Sequence, residues 1–180
     1  MVEMNRVMQD KIIVGNCSGL SEYHESSLKF RYTPDSFQSV WNFSDRLARF
    51  VASYYSLFSI GRDYNSLLFI INEIVENALK HTKDPSLPIE VEMYQCEEMS
   101  FLKVTNEVSE QSFHKFLDYA YILNETDLKN LYCMKLEDLS SGKSTSGIGL
   151  ILLKKDYHIE LGFEFRSENG HYWTSICARI

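Results

Sequence analysis

The chain has 180 residues, of which 44% are hydrophobic and 13% aromatic, so it is long and apolar enough for one domain with a sizeable core. A formal net charge of −7 without any basic run argues against nucleic acid and against an anionic membrane as main partners. The four cysteines form no C-x-x-C pair and no apolar run reaches the length of a membrane span, which argues against a zinc site, a disulfide framework and a transmembrane protein.

The first half of the chain is predicted to contain two strands and two helices. Residues 12–16 and 28–33 have the composition of short strands, and the second segment alternates polar and apolar residues. A helix is expected to begin near residues 34–36 and to end before Gly61, because apolar residues recur along it at helical spacing. A second helix should follow at about residues 65–82, with one broad apolar face.

The second half is predicted to hold four strands and three helices. The strands alternate apolar and polar residues and comprise residues 89–95, 100–106, 159–165 and 172–178. The helices comprise residues 113–123, 127–136 and 147–156. A turn at residues 168–170 would join the last two strands. This order predicts a single domain over residues 1–180, a two-layer α/β sandwich in which helices cover one face of a mixed, mostly antiparallel sheet.

A column of polar side chains interrupts the apolar second helix. Glu73, Asn77 and His81 are spaced four residues apart, so they lie one above the next along a single stripe of the helix. A carboxylate, a carboxamide and an imidazole in one column could together hold a water molecule, a metal ion and a phosphate. The alternative is an ordinary solvated helix face, which the column alone does not exclude.

A second motif lies about seventy residues later, where a loop rich in serine, threonine and glycine runs directly into an apolar helix. The unpaired backbone N–H groups at the start of such a helix favour anion binding. Gly147 and Gly149 allow close approach of the backbone to a phosphate, and Lys143 could supply a positive charge. The loop lacks the residue order of a P-loop and of a dinucleotide fingerprint. A plain glycine-rich loop with a serine or threonine N-cap at 144–146 remains the alternative.

Together the two motifs resemble the GHKL superfamily of ATPases and kinases. The N-box of that family is matched by Glu73-x-x-x-Asn77-Ala-Leu-Lys80-His81, and its second glycine box by Ser146-Gly147-Ile148-Gly149-Leu150. The resemblance spans roughly residues 35–180, and it is strongest to anti-sigma-type serine kinases and SiaB-type protein kinases. It implies the Bergerat fold, with the segment before the second glycine box forming a lid over the nucleotide.

The resemblance also implies roles for individual residues. Asn77 would bind the Mg²⁺ that bridges the phosphates of ATP, and Glu73 would act as the general base. Further nucleotide contacts are implied for Lys80 and His81 near the phosphates, and for Lys143, Ser146, Gly147, Ile148, Gly149 and Leu150 in and after the glycine-rich loop.

The first glycine box of the family departs from its pattern in this chain. The family places an aspartate at the end of a strand, followed by glycines, and the aspartate contacts the adenine amino group. Asn106 stands in the aspartate position and Val108 in that of the first glycine. The amide oxygen of Asn106 can still accept a hydrogen bond from adenine. The charge is lost, however, and so is the close backbone approach that glycine permits.

The sequence therefore predicts an ATP- and Mg²⁺-dependent serine/threonine kinase of a bacterial partner-switching pathway. Its substrate would be a small antagonist protein of the STAS-like or SiaC-like kind, and a homodimer is possible. Residues 1–10 lack the apolar segment of a signal peptide, so we expect the protein in the cytoplasm. The alternative, favoured by the altered first glycine box, is a catalytically inactive interaction module with weak or no nucleotide binding.

Overall fold

The computed structural model describes residues 10–17, 26–34, 40–56, 63–96, 99–142 and 147–180. Within these ranges the chain forms six strands and five helices. The strands are β1 (Asp10–Gly15), β2 (Ser26–Tyr32), β3 (Ile89–Cys96), β4 (Met99–Val108), β5 (Glu160–Glu168) and β6 (His171–Arg179). The helices are α1 (Val40–Ser56), α2 (Tyr64–His81), α3 (Glu110–Glu125), α4 (Leu128–Ser140) and α5 (Ile148–Lys155).

The six strands form one sheet in the order β1-β5-β6-β4-β3-β2. Each neighbouring pair among these described strands is antiparallel, so the parallel component of the expected mixed sheet is not found there. The hairpins β3–β4 and β5–β6 meet in the middle of the sheet, where β4 pairs with β6. The predicted two-layer α/β sandwich is confirmed.

The helices cover one face of this sheet because alternate strand residues point to opposite sides. On β4, Leu102 and Val104 are buried on the side of α2, while Lys103 and Thr105 point to the opposite face and meet the polar side chains of β5 and β6. By the same alternation Asn106 points into the helical layer, where its side chain reaches the backbone of α2.

Helix α2 carries the polar column, and its two ends fix where that column lies. Asp63 caps the N-terminus, because its side chain accepts hydrogen bonds from the backbone N–H groups of Asn65 and Ser66. The helix ends at His81. Its apolar face is buried and comprises Leu67, Ile70, Ile71, Ile74, Val75 and Ala78. This burial orients the neighbouring stripe toward the gap between α2 and α5.

Several features considered in the sequence can be stated for the described ranges only. Cys17, Cys133 and Cys177 are free thiols there. No helix in those ranges combines the length and apolarity that a membrane crossing requires. No three histidine, cysteine or acidic side chains gather there into a group that could hold a metal ion.

Candidate functional site

A cavity of about 240 Å³ opens between the helical layer and the end of the sheet. This volume is somewhat below the range of roughly 300–1,000 Å³ for small-molecule sites. Residues from α2, α3, α4, α5, β4 and β6 surround it, so it lies where the two sequence motifs meet. The lining comprises Asn77, Ala78, His81, Asn106, Val108, Ser112, Lys115, Phe116, Tyr119, Lys135, Gly147, Leu150, Thr174 and Ile176.

Five of the eleven predicted site residues line this cavity, namely Asn77, His81, Asn106, Gly147 and Leu150. Glu73, Ile148 and Gly149 are not part of its lining, although Glu73 and Gly149 touch each other where α2 meets α5. Lys80 does not line the cavity; its ammonium group lies 2.8 Å from a carboxylate oxygen of Glu76, on the exposed side of α2. Lys143 and Ser146 lie outside the described residues. The roles expected for all the site residues stay predictions.

Glu73 and Gly149 are in direct contact, which joins the two motifs. A Cβ atom placed on Gly149 would overlap Oε2 of Glu73 and would lie 2.7 Å from its Cδ. Glycine is thus the residue that lets α5 pack against this carboxylate. The side chain of Glu73 forms neither a hydrogen bond nor an ion pair within the described part of the chain.

The environment of Glu73 makes its carboxylate a stronger proton acceptor than usual. Burial raises its pKa, the nearby charge of Glu76 raises it further, and Lys80 opposes the shift. A half-buried carboxylate with a raised pKa and no partner among the described residues is a common feature of catalytic sites. The glutamate therefore has the environment that a general base needs.

Asn77 and His81 continue the column from Glu73 into the cavity. The amide nitrogen of Asn77 donates a hydrogen bond of 2.6 Å to the backbone carbonyl of Glu73. This bond leaves the side-chain oxygen of Asn77 as the group that can meet a ligand, and oxygen is the ligand atom that Mg²⁺ prefers. His81 remains accessible at the end of α2. Its pKa is lowered, mainly because part of the ring is buried and in addition because the positive charge of Lys80 is near. Its imidazole is therefore neutral at physiological pH.

The start of α5 forms the opposite wall. Gly147 is the N-cap with φ of 93°, a left-handed conformation that favours glycine, and it supplies no side-chain acceptor to the helix. The hydroxyl of Tyr119 donates a hydrogen bond of 2.6 Å to the carbonyl of Gly147 and so holds this turn against α3. The first-turn amides of Ile148, Gly149 and Leu150 thus begin a helix without a side-chain cap from Gly147, an arrangement that favours anions.

Asn106 lies at the other end of the cavity and is 5% exposed. Its amide nitrogen donates to the carbonyl of Ala78 at 3.1 Å, and its oxygen accepts from the hydroxyl of Thr174 at 3.2 Å. The oxygen keeps a second lone pair for a ligand. Val108 is 2% exposed and lines the wall where the resembled family has glycine.

Several lining residues were not predicted from the sequence, among them Lys115, Tyr119, Lys135 and Thr174. Lys115 and Lys135 have no carboxylate partner within the described ranges, and the Lys135 ammonium lies 5.4 Å from the centroid of the Tyr119 ring. Lys115 and Tyr119 are four residues apart on α3, and this spacing could have predicted that they lie on the same face of the helix. Two such cations in a chain of charge −7 make this cavity suited to an anionic ligand.

Comparisons with known proteins find a solved structure of similar fold but no matching family. No protein-family model matches the chain, and no curated protein matches it. Among solved structures, the chain is similar to a chain in the crystal structure of the SiaB–SiaC complex from Pseudomonas aeruginosa. The TM-score is 0.63 at 14% sequence identity, over 85% of this chain and 89% of the other. At that identity the likeness establishes a shared fold.

The raised pKa of Glu73 gives a testable pH dependence of stability. Below the ordinary value of 4.5 the carboxyl is protonated in both the folded and the unfolded states. As the pH rises through the higher pKa of the folded state, ionisation of the half-buried group destabilises the fold. Replacing Glu73 by Gln should therefore raise the melting temperature at about pH 7, because the neutral amide has no charge to bury. Near pH 4 and below, thermal unfolding should show almost no difference.

Glu76→Gln is the matched control for this measurement. Glu76 accepts hydrogen bonds from Asn72 and from Lys80, both at 2.8 Å, so its replacement should lower stability or leave it unchanged at pH 7. An equal effect of Glu73→Gln at both pH values would show that burial of the charge is not the cause.

Proposed function

We propose that the chain is an ATP- and Mg²⁺-dependent serine/threonine protein kinase of a bacterial partner-switching pathway, acting on a small antagonist protein. The observation that carries this proposal is the Glu73 carboxylate, which has no partner in the described part of the chain and lies against Gly149 beside the cavity. A merely structural glutamate would be paired, as Glu76 is one turn further along the same helix.

The solved neighbour in fold supports the choice of partner. That structure is a complex of SiaB with SiaC, so a chain of this fold occurs there in an assembly of two proteins. By analogy the partner of this chain would be a small protein of the SiaC-like or STAS-like kind. A cytoplasmic location and a possible homodimer belong to the same proposal.

The residues present fit a bound Mg²⁺–ATP at both ends of the cavity. The adenine ring would lie near Asn106, whose side-chain oxygen has a free lone pair, and between the apolar side chains of Val108 and Ile176. The phosphates would lie toward the first-turn amides of α5, with Lys115 and Lys135 as counter-charges. Asn77 would hold Mg²⁺ through its side-chain oxygen, and the ion, when bound, neutralises charge on the phosphates during transfer.

In this proposal Glu73 accepts the proton of the substrate hydroxyl. The hydroxyl oxygen forms a bond to the terminal phosphorus as the bond between that phosphorus and the departing ADP oxygen breaks. Burial of Glu73, which raises its pKa, improves proton transfer near neutral pH. Its contact with Gly149 places the base beside the amides that would hold the phosphates, so most of the catalysis would come from positioning and charge.

Removing the proposed magnesium ligand should weaken nucleotide binding only when the metal is present. Asn77→Ala should lower the affinity for ATP by about tenfold or more with Mg²⁺ and have little effect with EDTA, because the variant loses one oxygen ligand. Isothermal titration calorimetry in both buffers measures this difference. Asn72→Ala is the matched control, since Asn72 lies on the same helix but bonds to Glu76. Unchanged affinity of Asn77→Ala with Mg²⁺ would contradict the metal role.

The second candidate is an interaction module that has lost catalysis. The observation that favours it is the set of bonds from Asn106 to Ala78 and Thr174, which uses most of that side chain for internal structure. Such a module could bind its partner through exposed apolar residues of α3 and α4, where Ile122, Met134 and Leu139 are 46%, 59% and 45% exposed. The retained Glu73 and Asn77 favour the kinase.

Phosphate transfer to a captured partner distinguishes the two candidates. Proteins bound to the immobilised chain would be eluted and incubated with the chain, radiolabelled ATP and Mg²⁺. The kinase predicts label on serine or threonine of one small protein, which disappears with EDTA. Stable binding of that protein without any transfer of phosphate would favour the interaction module.

A further inference from the structure

The face of the sheet opposite the helices carries a second cavity, of about 180 Å³. Residues of β2, β3, β4, β5 and β6 line it, and they include Thr105 and Ser175, whose hydroxyls are 2.9 Å apart and hydrogen-bonded. Arg166 and Trp173, paired across β5 and β6, form one wall. This cavity is separated from the proposed nucleotide site by the sheet itself.

The positive side chains on the strands are nearly all paired with carboxylates. Six lysines and arginines lie on the strands given above, and five of them have a carboxylate oxygen within 3.4 Å. These five are Lys11, Lys29, Arg31, Lys103 and Arg179. Arg166 is the exception among the described strands, since no ion pair or hydrogen bond of its guanidinium is present.

The surroundings of the Arg166 guanidinium suit it to bind an anion. Its guanidinium carbon lies 4.5 Å from the centroid of the Trp173 ring, so the planar group is held over the indole. Its Nε atom is buried without a hydrogen-bond partner among the described residues. A buried donor left unpaired is unfavourable, and a charged donor more so. Contact with the Trp173 ring restrains the guanidinium, whose planar fork matches the two oxygens of a carboxylate.

We propose that Arg166, with Trp173 as a wall, binds a carboxylate in this cavity. A guanidinium matches both carboxylate and phosphate. The lining also holds three glutamates, Glu90, Glu92 and Glu164, against two lysines that pair with them, Lys29 and Lys103, so the excess negative charge would repel a dianion more than a monoanion. A single negative charge satisfies Arg166 and adds the least repulsion. One of the hydroxyls of Thr105 and Ser175 donates to the other, so the second one can donate to the same group. The carboxylate belongs either to a small metabolite or to an acidic side chain of a partner protein.

Nuclear magnetic resonance of the full chain tests this site directly. The probes are sodium acetate, free glutamate and a terminally blocked glutamyl peptide, each titrated at constant ionic strength against sodium chloride. The Nε–Hε signal of Arg166 and the indole N–H signal of Trp173 should shift together and saturate, with a dissociation constant of roughly 1 mM. Tighter binding of free glutamate indicates a metabolite, and tighter binding of the blocked peptide indicates a partner side chain.

Variants separate a specific site from general charge effects. Arg166→Gln should weaken binding at least tenfold, and Arg166→Lys, which keeps the charge but loses the planar fork, should weaken it similarly. Arg179→Gln is the matched control, because Arg179 is already paired with Glu160, and it should bind like the unmodified chain. The proposal is overturned if no carboxylate gives a saturating shift, if both Arg166 variants bind normally, or if inorganic phosphate binds and acetate does not.

Discussion

Replacing Glu73 by Gln should lower the rate of phosphoryl transfer by roughly 10²–10⁴-fold, the range that a positioned general base contributes. The amide keeps the size of the side chain and its contact with Gly149 but cannot accept the proton of the substrate hydroxyl. Nucleotide affinity should change little, because the proposed contacts of the phosphates are with α5, Lys115 and Lys135. Single-turnover transfer from radiolabelled ATP to the captured partner measures the rate, and calorimetry measures the affinity.

Glu76→Gln provides the comparison for activity as well as for stability. The two glutamates lie on the same helix, but the carboxylate of Glu76 is held by Lys80 and Asn72. Its variant should transfer phosphate at close to the unmodified rate. Full activity of Glu73→Gln, or equal losses in both variants, would remove the assignment of Glu73 as the base.

Replacing Gly149 by Ala should reduce transfer by roughly 10–100-fold without loss of stability. The added methyl group would occupy the position of Glu73 Oε2, so the carboxylate must move away from its present place. A displacement of about 1 Å in a catalytic group can lower a rate by about this factor. The side chain can yield because its end is flexible, and alanine is a better helix former than glycine. The melting temperature should therefore stay the same or rise.

The opposite pattern is expected for Gly170→Ala. Gly170 lies in the β5–β6 turn with φ of 78°, and a Cβ atom added to it would meet no described atom within 4 Å. Alanine is strained there because φ is positive, but its methyl group would touch no functional group. This variant should lose some stability and keep its rate of transfer. If Gly149→Ala unfolded the chain, or kept the full rate, the contact with Glu73 would not position the base.

Much of the fold could be predicted because its signals are local. The alternation of strand residues and the apolar periodicity of α2 depend on neighbours in sequence, and the predicted ranges 65–82 and 89–95 differ little from Tyr64–His81 and Ile89–Cys96. Boundaries were less accurate where capping residues decide them. Helix α3 begins at Glu110 because Ser109 caps it, three residues before the predicted start.

The site was predictable only in part, because some of its contacts join residues that are far apart in the sequence. Glu73, Asn77 and His81 form a column by helix geometry alone, whereas Thr174 reaches Asn106 through pairing of β4 with β6, across 68 residues. Lys135 comes to the cavity through the packing of α4, which no spacing in the sequence encodes. Lys80 shows a different limit, because the motif assigned it to the phosphates, whereas its four-residue spacing from Glu76 was the local signal for the ion pair that it forms.

Calorimetric titration of the purified chain with ATP and with ADP, each with and without Mg²⁺, tests the central claim most directly. A nucleotide site between α2 and α5 predicts saturable binding to one site with a dissociation constant in roughly the micromolar range. That affinity should depend on Mg²⁺ and decline in Asn77→Ala. Absence of binding by either nucleotide in the presence of Mg²⁺ would contradict the account.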